Sequence, residues 1–289
     1  MTVAGPYVYL DGRLVPREDA KVSVEDRGFT FGDGIYEVVR IAASKSFRLD
    51  AHLDRLEAGA QALEIPLPLD RAALAEAIHS VARANALTEG TVYLQLTRGT
   101  APRSHAFPAG AAPTLVMMAK PLAGPDPQLF ESGVSAVTCP DLRFGFCEIK
   151  TIGLLPNVLA YQKARSRGCY EALLVRQGKI TEGCLSSAFC ARGGTVFTHP
   201  VDNILPSVTR RFLIEAFRSA GVEVREEAVT IEELLAADEV MMVGTTTEVM
   251  PVVRVDDSSI GEGRPGEIAR LGRRLYLEDL ERARSGPDE

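Results

Sequence analysis

Hydrophobic and polar positions change period several times along the chain, and each change marks an element. The run YVYLDGRLV at 7–15 reads as two short extended stretches around Asp11-Gly12, a dipeptide whose backbone freedom suits a tight hairpin turn. A turn-rich segment, EDRGFTFGDG, then gives way to a strand pattern at 35–41. Leu53, Leu56, Ala60 and Leu63 recur at helical spacing, which predicts a helix over 50–63 with Asp50 as its N-cap; Asp70 opens a second helix reaching about residue 86. Strands at 91–97 and 114–119 flank a polar loop, so the first part of the chain reads as a small α+β unit.

The stretch PLAGPDP at 121–127 interrupts the periodicity with prolines and a glycine and is the natural linker. Beyond it, strands are predicted at 134–138, 171–175, 179–181, 188–191 and 196–198, with turns at Gln177-Gly178 and Gly193-Gly194. Helices are predicted over 157–167, ended by Gly168, and over 208–220, between Ser207 and Gly221. A terminal helix over about 266–284 carries the apolar stripe Ile268, Leu271, Leu275 and Leu280. The fold class is therefore α+β with two domains: 1–120 small and N-terminal, 121–130 the linker, 131–289 larger.

Composition narrows the function classes. With 46% hydrophobic and 25% charged residues in 289, the chain is ordinary globular protein. A net charge of -7 provides no basic footprint for a nucleic acid. No apolar run approaches the roughly 18 to 20 residues of a bilayer span, and MTVAGPYVYLDGR is not a targeting segment, so a soluble, cytoplasmic protein without a membrane partner is expected. Cys139, Cys147, Cys169, Cys184 and Cys190 form no C-x-x-C pair and read as buried free thiols. His52, His79, His105 and His199 are scattered without ligand spacing, so no metal site is expected.

Lys150 is the first candidate for chemistry. It follows Phe144, Phe146 and Ile149 and precedes Ile152, Leu154 and Leu155. Removing an ammonium from water lowers its pKa, by up to about 3 to 5 units at complete burial, and a neutral amine attacks aldehydes. An edge-strand lysine with a buried stem and a solvated head fits the same pattern, and local context alone favours it.

Glu182 and Gly183 close a strand, with Ser186 and Ser187 just after. Taken alone, a glutamate before glycine is a solvated turn residue; a carboxylate about 4 Å from a pyridine nitrogen, at an effective dielectric near 20, favours the protonated ring by roughly 4 kcal/mol. LPSVTRRF starts a helix at Val208 and Thr209, where amide groups and the dipole favour an anion. VGTTTEV sets Gly244 beside Thr245, Thr246 and Thr247 after an apolar strand. Taken alone, each is better explained by simple capping.

Taken together, DRGFTFGDGIYEVVR, HLDRL, EIKTIGLLPNVLA, GCYEALLV, ITEGCLSSAF and TTTEVMPV, in order from residue 26 to 252, resemble the class IV (fold type IV) pyridoxal phosphate enzymes. That group includes branched-chain aminotransferases, D-amino acid aminotransferases and aminodeoxychorismate lyases. YLQLTRGTAPRSHAFP is most similar to the D-amino acid aminotransferases, whose R-x-H pair falls on Arg103 and His105.

The resemblance implies a small N-terminal and a larger C-terminal domain with pyridoxal 5′-phosphate at their interface. Lys150 would form the Schiff base and move the proton between substrate Cα and cofactor. Glu182 would hold the ring nitrogen protonated, and Arg55, Val208, Thr209, Thr245 and Thr246 would hold the phosphate, with Ser187 also at the cofactor. Tyr36, Arg103 and His105 would grip the substrate α-carboxylate, the last two arriving from the other subunit of a homodimer. Their chemistry suits that role, since a guanidinium fork with directional donors matches a carboxylate.

The expected reaction moves the amino group of a D-amino acid, such as D-alanine or D-glutamate, to a 2-oxo acid. An L-branched-chain aminotransferase is the alternative, ahead of an aminodeoxychorismate lyase, an amine transaminase or a non-catalytic cofactor-binding relative. Gly153 and Ser187 stand where the family often has asparagine, and Leu185 where D-specific members often have a smaller polar residue.

Overall fold

Asp11 and Gly12 turn the chain as their types predict. Both take left-handed φ values, 45° and 91°, and join β1 (Tyr7–Leu10) to β2 (Arg13–Pro16) in an antiparallel pair. This computed structural model describes residues 5–286. A short helix α1 (Arg27–Phe31), capped by the Asp26 side chain, leads into β3 (Gly34–Ala42) and β4 (Lys45–Phe47). Helices α2 (Leu49–Ala62) and α3 (Arg71–Ala84) follow, then β5 (Glu89–Thr97) and β6 (Thr114–Pro121). The strands form one six-stranded sheet, ordered β2-β1-β6-β5-β3-β4, with every pairing antiparallel.

Alternation along β3 puts Ile35, Glu37, Val39 and Ile41 on one face. The three apolar ones join Leu49, Leu53, Leu56 and Ala60 of α2 and Leu74, Ile78 and Val81 of α3 in a single core. Each fully buried side chain of this size contributes about 1.5 to 3 kcal/mol. Asp70 caps α3 as expected, accepting from the Ala73 amide at 2.8 Å. Asp50 does not cap α2. The chain enters through Arg48 in a left-handed conformation, φ 56°, and the helix begins at Leu49, which leaves Asp50 in the first turn, paired with Arg71 at 2.8 Å.

The remaining elements are α4 (Pro127–Ser132), β7 (Val134–Pro140), α5 (Leu155–Ser166), β8 (Glu171–Arg176), β9 (Lys179–Gly183), β10 (Ser187–Arg192) and β11 (Thr195–Thr198). They continue with α6 (Val208–Ser219), β12 (Val224–Arg225), α7 (Ile231–Leu235), β13 (Glu239–Gly244), β14 (Glu248–Val255), β15 (Ser258–Ser259) and α8 (Glu267–Ser285). A nine-stranded sheet runs β12-β11-β10-β13-β14-β7-β8-β9, with β15 on β14. It is mixed: β7 lies parallel to both β14 and β8. Ser207 caps α6 by accepting from the Arg210 amide, and Gly221 follows its end at φ 81°.

The buried face of α8 is rotated from the expected stripe. Ala269, Gly272, Tyr276 and Leu280 point inward, while Ile268, Leu271 and Leu275 are only half-buried. Tyr276 is fully enclosed, its ring adding apolar area while its hydroxyl donates to the Thr245 carbonyl at 3.3 Å. The small Ala269 and Gly272 and the amphipathic Tyr276 give this face a weaker apolar signal than the run of Ile268, Leu271 and Leu275.

Contacts divide the chain into two compact units. One holds the chain through Ala123, Ile149–Gly153 and the residues from Leu280 on; the other holds Gly124–Glu148 and Leu154–Asp279. The first division falls inside the 121–130 segment. Lys150, which a linear split at that segment assigns to the larger domain, packs with the first unit, because 149–153 runs beside the start of β3. Tyr36 donates its amide to the Lys150 carbonyl at 2.9 Å, Ile152 donates to the Gly34 carbonyl at 3.1 Å, and Ile35 bridges Thr151. Gly34 permits this approach, since a Cβ there would crowd the Leu96 carbonyl and lie 3.1 Å from Ile152 Cδ1.

Candidate active site

Alternation on β3 sends Tyr36 to the face opposite Glu37, and the Lys150 amine stands over its ring, Nζ 4.2 Å from the centroid. Tyr36 stacks in turn on Tyr93 of β5, centroids 5.7 Å apart. Burial raises the Tyr93 hydroxyl to about 12, and it donates to Gln95 at 2.7 Å. Lys150 is half-buried. The apolar setting expected from Phe144 and Phe146 is not what surrounds it: these rings are 70% and 69% exposed, in an irregular segment with no strand to turn them inward.

Glu37 sits between two core positions of β3 and is 2% exposed. Arg55 Nε donates to its Oε1 at 2.7 Å and Nη2 to its Oε2 at 2.9 Å, while His52 Nδ1 lies 2.8 Å from Oε2. Burial alone would raise this carboxyl, yet Arg55 and His52 hold it well below the usual carboxylate range. Burial keeps His52 below the ordinary histidine range; Glu37 opposes that shift, and the charges of Arg55 and Lys150 add to it. Arg55, expected at a phosphate, therefore already carries a bidentate pair. Sequence reading missed Glu37 and His52. Their signal was a polar residue in the apolar face of β3 and a second one, three residues before Arg55, in the apolar stripe of α2.

The second unit supplies a different charge system. Glu182 lies near the end of β9, 4% exposed, and its Oε1 accepts from Arg143 Nη1 and, at 3.0 Å, from the Leu205 amide. Arg143 is gripped by Asp141, with Nε and Nη2 donating at 2.9 and 2.8 Å, and donates to the Asn203 carbonyl at 3.2 Å. Burial would lower Arg143, but Asp141 and Glu182 raise it further into its charged range. Because Leu205 and Asn203 lead directly into α6, this network ties Glu182 to the segment that presents the helix N-terminus. Neither Asp141 nor Arg143 was legible; D-x-R in an irregular stretch looks solvated.

Val208 and Thr209 form the first turn of α6 and are buried, where helix amide groups point outward along the axis. Ser187 opens β10 opposite Val243, one position before Gly244 and the Thr245, Thr246, Thr247 turn. Its hydroxyl is buried and has no hydrogen-bond partner among the described residues. A buried donor left in this way costs about 1 to 3 kcal/mol, so it fits a site completed by a bound polar group. Thr246 is exposed and Thr245 half-buried. Leu185 is 62% exposed.

Glu171 of β8 is fully enclosed. Its Oε1 accepts from the Leu185 amide at 2.7 Å and the Ser186 hydroxyl at 2.9 Å. Burial pushes this carboxyl up to about 7 despite those donors. All five cysteines are buried and free, as their spacing predicts, and burial raises Cys184 and Cys190 to about 12.

Arg103 and His105 lie exposed in the loop between β5 and β6, both beside the Phe31 ring: the Arg103 guanidinium carbon is 5.0 Å and the His105 ring 5.4 Å from its centroid. The two side chains thus share a platform. Among the described residues no cluster of His, Cys, Asp and Glu could hold a metal ion, and no helix is long and apolar enough to cross a membrane.

The family model for amino-transferase class IV matches residues 34–255. A D-alanine aminotransferase of Bacillus licheniformis is 40% identical over 264 residues, covering 91% of this chain and 93% of that protein. Branched-chain amino acid aminotransferase from Escherichia coli superimposes with a TM-score of 0.89 at 29% identity, over 95% of this chain and 94% of that one. The T.th. branched-chain amino acid aminotransferase complexed with N-(5′-phosphopyridoxyl)-L-glutamate also gives 0.89, at 28% identity, over 97% and 95%.

Proposed function

Because the chain belongs to the class IV aminotransferase family, we propose that it moves the amino group of a D-amino acid, of the D-alanine or D-glutamate type, to a 2-oxo acid. Pyridoxal 5′-phosphate, when bound, supplies an aldehyde to receive amines and a ring to delocalise the electrons of the broken Cα–H bond. One observation carries the substrate class: 40% identity, over nearly the full length of both proteins, to an enzyme that is a D-alanine aminotransferase. The shared fold of the branched-chain enzymes, at 28–29% identity, is neutral between the two readings.

Each residue then has a part in the reaction. Lys150 is the amine that would hold the cofactor, and it would carry the proton to and from substrate Cα, a transfer worth roughly 10²- to 10⁴-fold. Tyr36 fixes the amine's position from below. Glu182 would supply negative charge to the cofactor ring, and Arg143 and Leu205 hold its carboxylate in place. Val208 and Thr209 at the start of α6, with Thr245, Thr246 and Arg55, serve the phosphate, and the Ser187 hydroxyl gains the partner it lacks. Arg103 and His105, with Tyr36, bind the substrate carboxylate.

The same reading includes a cytoplasmic homodimer. Leu142, Phe144, Phe146, Leu155, Val158 and Leu159 are all more than half exposed in one chain, an apolar density typical of a subunit interface.

Mixing the yellow holoprotein with D-alanine, and separately with L-leucine, tests the proposal. Conversion of the cofactor spectrum to its amine form by D-alanine, and slowly or not at all by L-leucine, is expected. The opposite preference would mean a branched-chain enzyme, and no conversion by any amino acid a non-catalytic relative.

A further inference from the structure

The loop between Thr97 and Thr114 is held to the first unit by an arrangement that no catalytic role explains. At its root, Asp26 Oδ2 accepts from both Thr97 and Thr114 hydroxyls, at 3.0 and 2.7 Å. The Arg27 amide donates to the Gly99 carbonyl at 2.9 Å, and the Ala101 amide to the Glu25 carbonyl at 3.3 Å. Gly99, at φ 91°, lets the returning chain pass so close that a Cβ would collide with the Ala112 carbonyl. The two ends are therefore clasped by Glu25–Arg27.

Further out, the exposed residues 103–106 are gripped by one buried side chain. Arg27 is 4% exposed, and its Nη1 donates to the Ser104 carbonyl at 2.5 Å and to the Ala106 carbonyl at 3.4 Å. Its Nε donates to Asp33 Oδ2 at 2.7 Å. Asp33 also accepts from Arg98, at 2.8 and 3.1 Å, and Arg98 lies over the Phe107 ring at 3.6 Å. Burial would raise Asp33, but its bonds to Arg98 and Arg27 keep it below the usual carboxylate range. The carbonyls held by Arg27 alternate with the side chains of Arg103 and His105. Holding them fixes the direction in which both side chains leave the loop, and Phe31, itself 4.8 Å from the Arg27 guanidinium, supplies the platform.

We propose that Arg27, anchored by Asp33, is a positioning residue for the carboxylate-binding pair Arg103 and His105, setting substrate affinity without touching substrate. This rests on the reading that those two bind the α-carboxylate. Arg98 has a separate structural share, since it also donates to the carbonyls of Leu63 and Glu64 beyond α2. Arg27 commits its side chain to Asp33 and the loop.

The test uses the holoenzyme with Arg27→Lys, which keeps the charge beside Asp33 but loses the fork, and with Phe107→Ala, an exposed change that removes only the Arg98 stack. KM for both D-alanine and the 2-oxo acid should rise about tenfold in Arg27→Lys, and in the same direction in Phe107→Ala, with kcat within about twofold and the cofactor spectrum unchanged. Unchanged KM in Arg27→Lys, while Arg103→Ala raises it, overturns the role of Arg27 whatever Phe107→Ala does. Should Arg103→Ala itself leave KM unaltered, the carboxylate reading fails, and this inference with it. A fall in kcat or loss of cofactor at constant KM would mark a general structural defect and also refute the proposal.

Discussion

Tyr36 and Lys150 meet twice: the tyrosine amide donates to the lysine carbonyl at 2.9 Å, and the lysine Nζ stands 4.2 Å from the tyrosine ring centre. The backbone bond sets the register of 149–153 against β3, and the ring then limits where the amine reaches. Borohydride reduction of the holoprotein followed by peptide mapping should place the cofactor on the peptide containing Lys150. Lys150→Ala should lose that label and about four orders of magnitude in turnover, while still binding cofactor non-covalently. A label elsewhere would remove the basis of the proposed chemistry.

Glu182 and Arg143 should separate kinetically from thermodynamically. Glu182→Gln removes charge and keeps shape, so turnover with D-alanine should drop by about 10²- to 10³-fold in steady-state assays. Arg143→Met leaves Asp141 and Glu182 as carboxylates without their guanidinium. Equilibrium denaturation should show a loss of about 3 kcal/mol, because one partner of a largely buried ion network is gone.

Glu171 predicts a pH-dependent stability. Its folded value, about 7, lies above the ordinary glutamate value of 4.5. Between those values the folded chain binds a proton that the unfolded chain has released, so this group's contribution to stability falls as pH rises through the window, and the penalty is complete above the folded value. Both hydrogen bonds fall on Oε1, which a glutamine reproduces. Glu171→Gln should therefore be more stable than the parent at pH 8, by about 3 kcal/mol, with the advantage disappearing near pH 4.5. Thermal denaturation across that range measures it; an advantage equal at all pH values would contradict a titrating Glu171.

Val158 and Leu159 lie on α5 at 58% and 57% exposure. Changing both to glutamate leaves the core untouched and places charge in the proposed interface. Light scattering should report a monomer for the variant and twice that mass for the parent. A monomeric parent would end the homodimer reading.

The amino-acid order by itself determined the hairpin turns and several of the helix caps, since these follow from local backbone energetics. Asp11-Gly12, Gln177-Gly178 and Gly193-Gly194 make their hairpins whatever surrounds them. Asp70 and Ser207 cap because their side chains reach their own helix amides. The family was legible because its motifs are contiguous strings. What required the tertiary structure were relationships between residues remote in the chain: Glu37 enclosed by His52 and Arg55, Glu182 held by Arg143, Arg27 gripping carbonyls 77 and 79 positions away. Each buries charge, and a buried charge persists only where a partner of opposite sign or a directed donor meets it at hydrogen-bonding distance. Hydropathy records which side chains shun water but not which polar groups find one another, so only the packed chain decided how these residues are arranged.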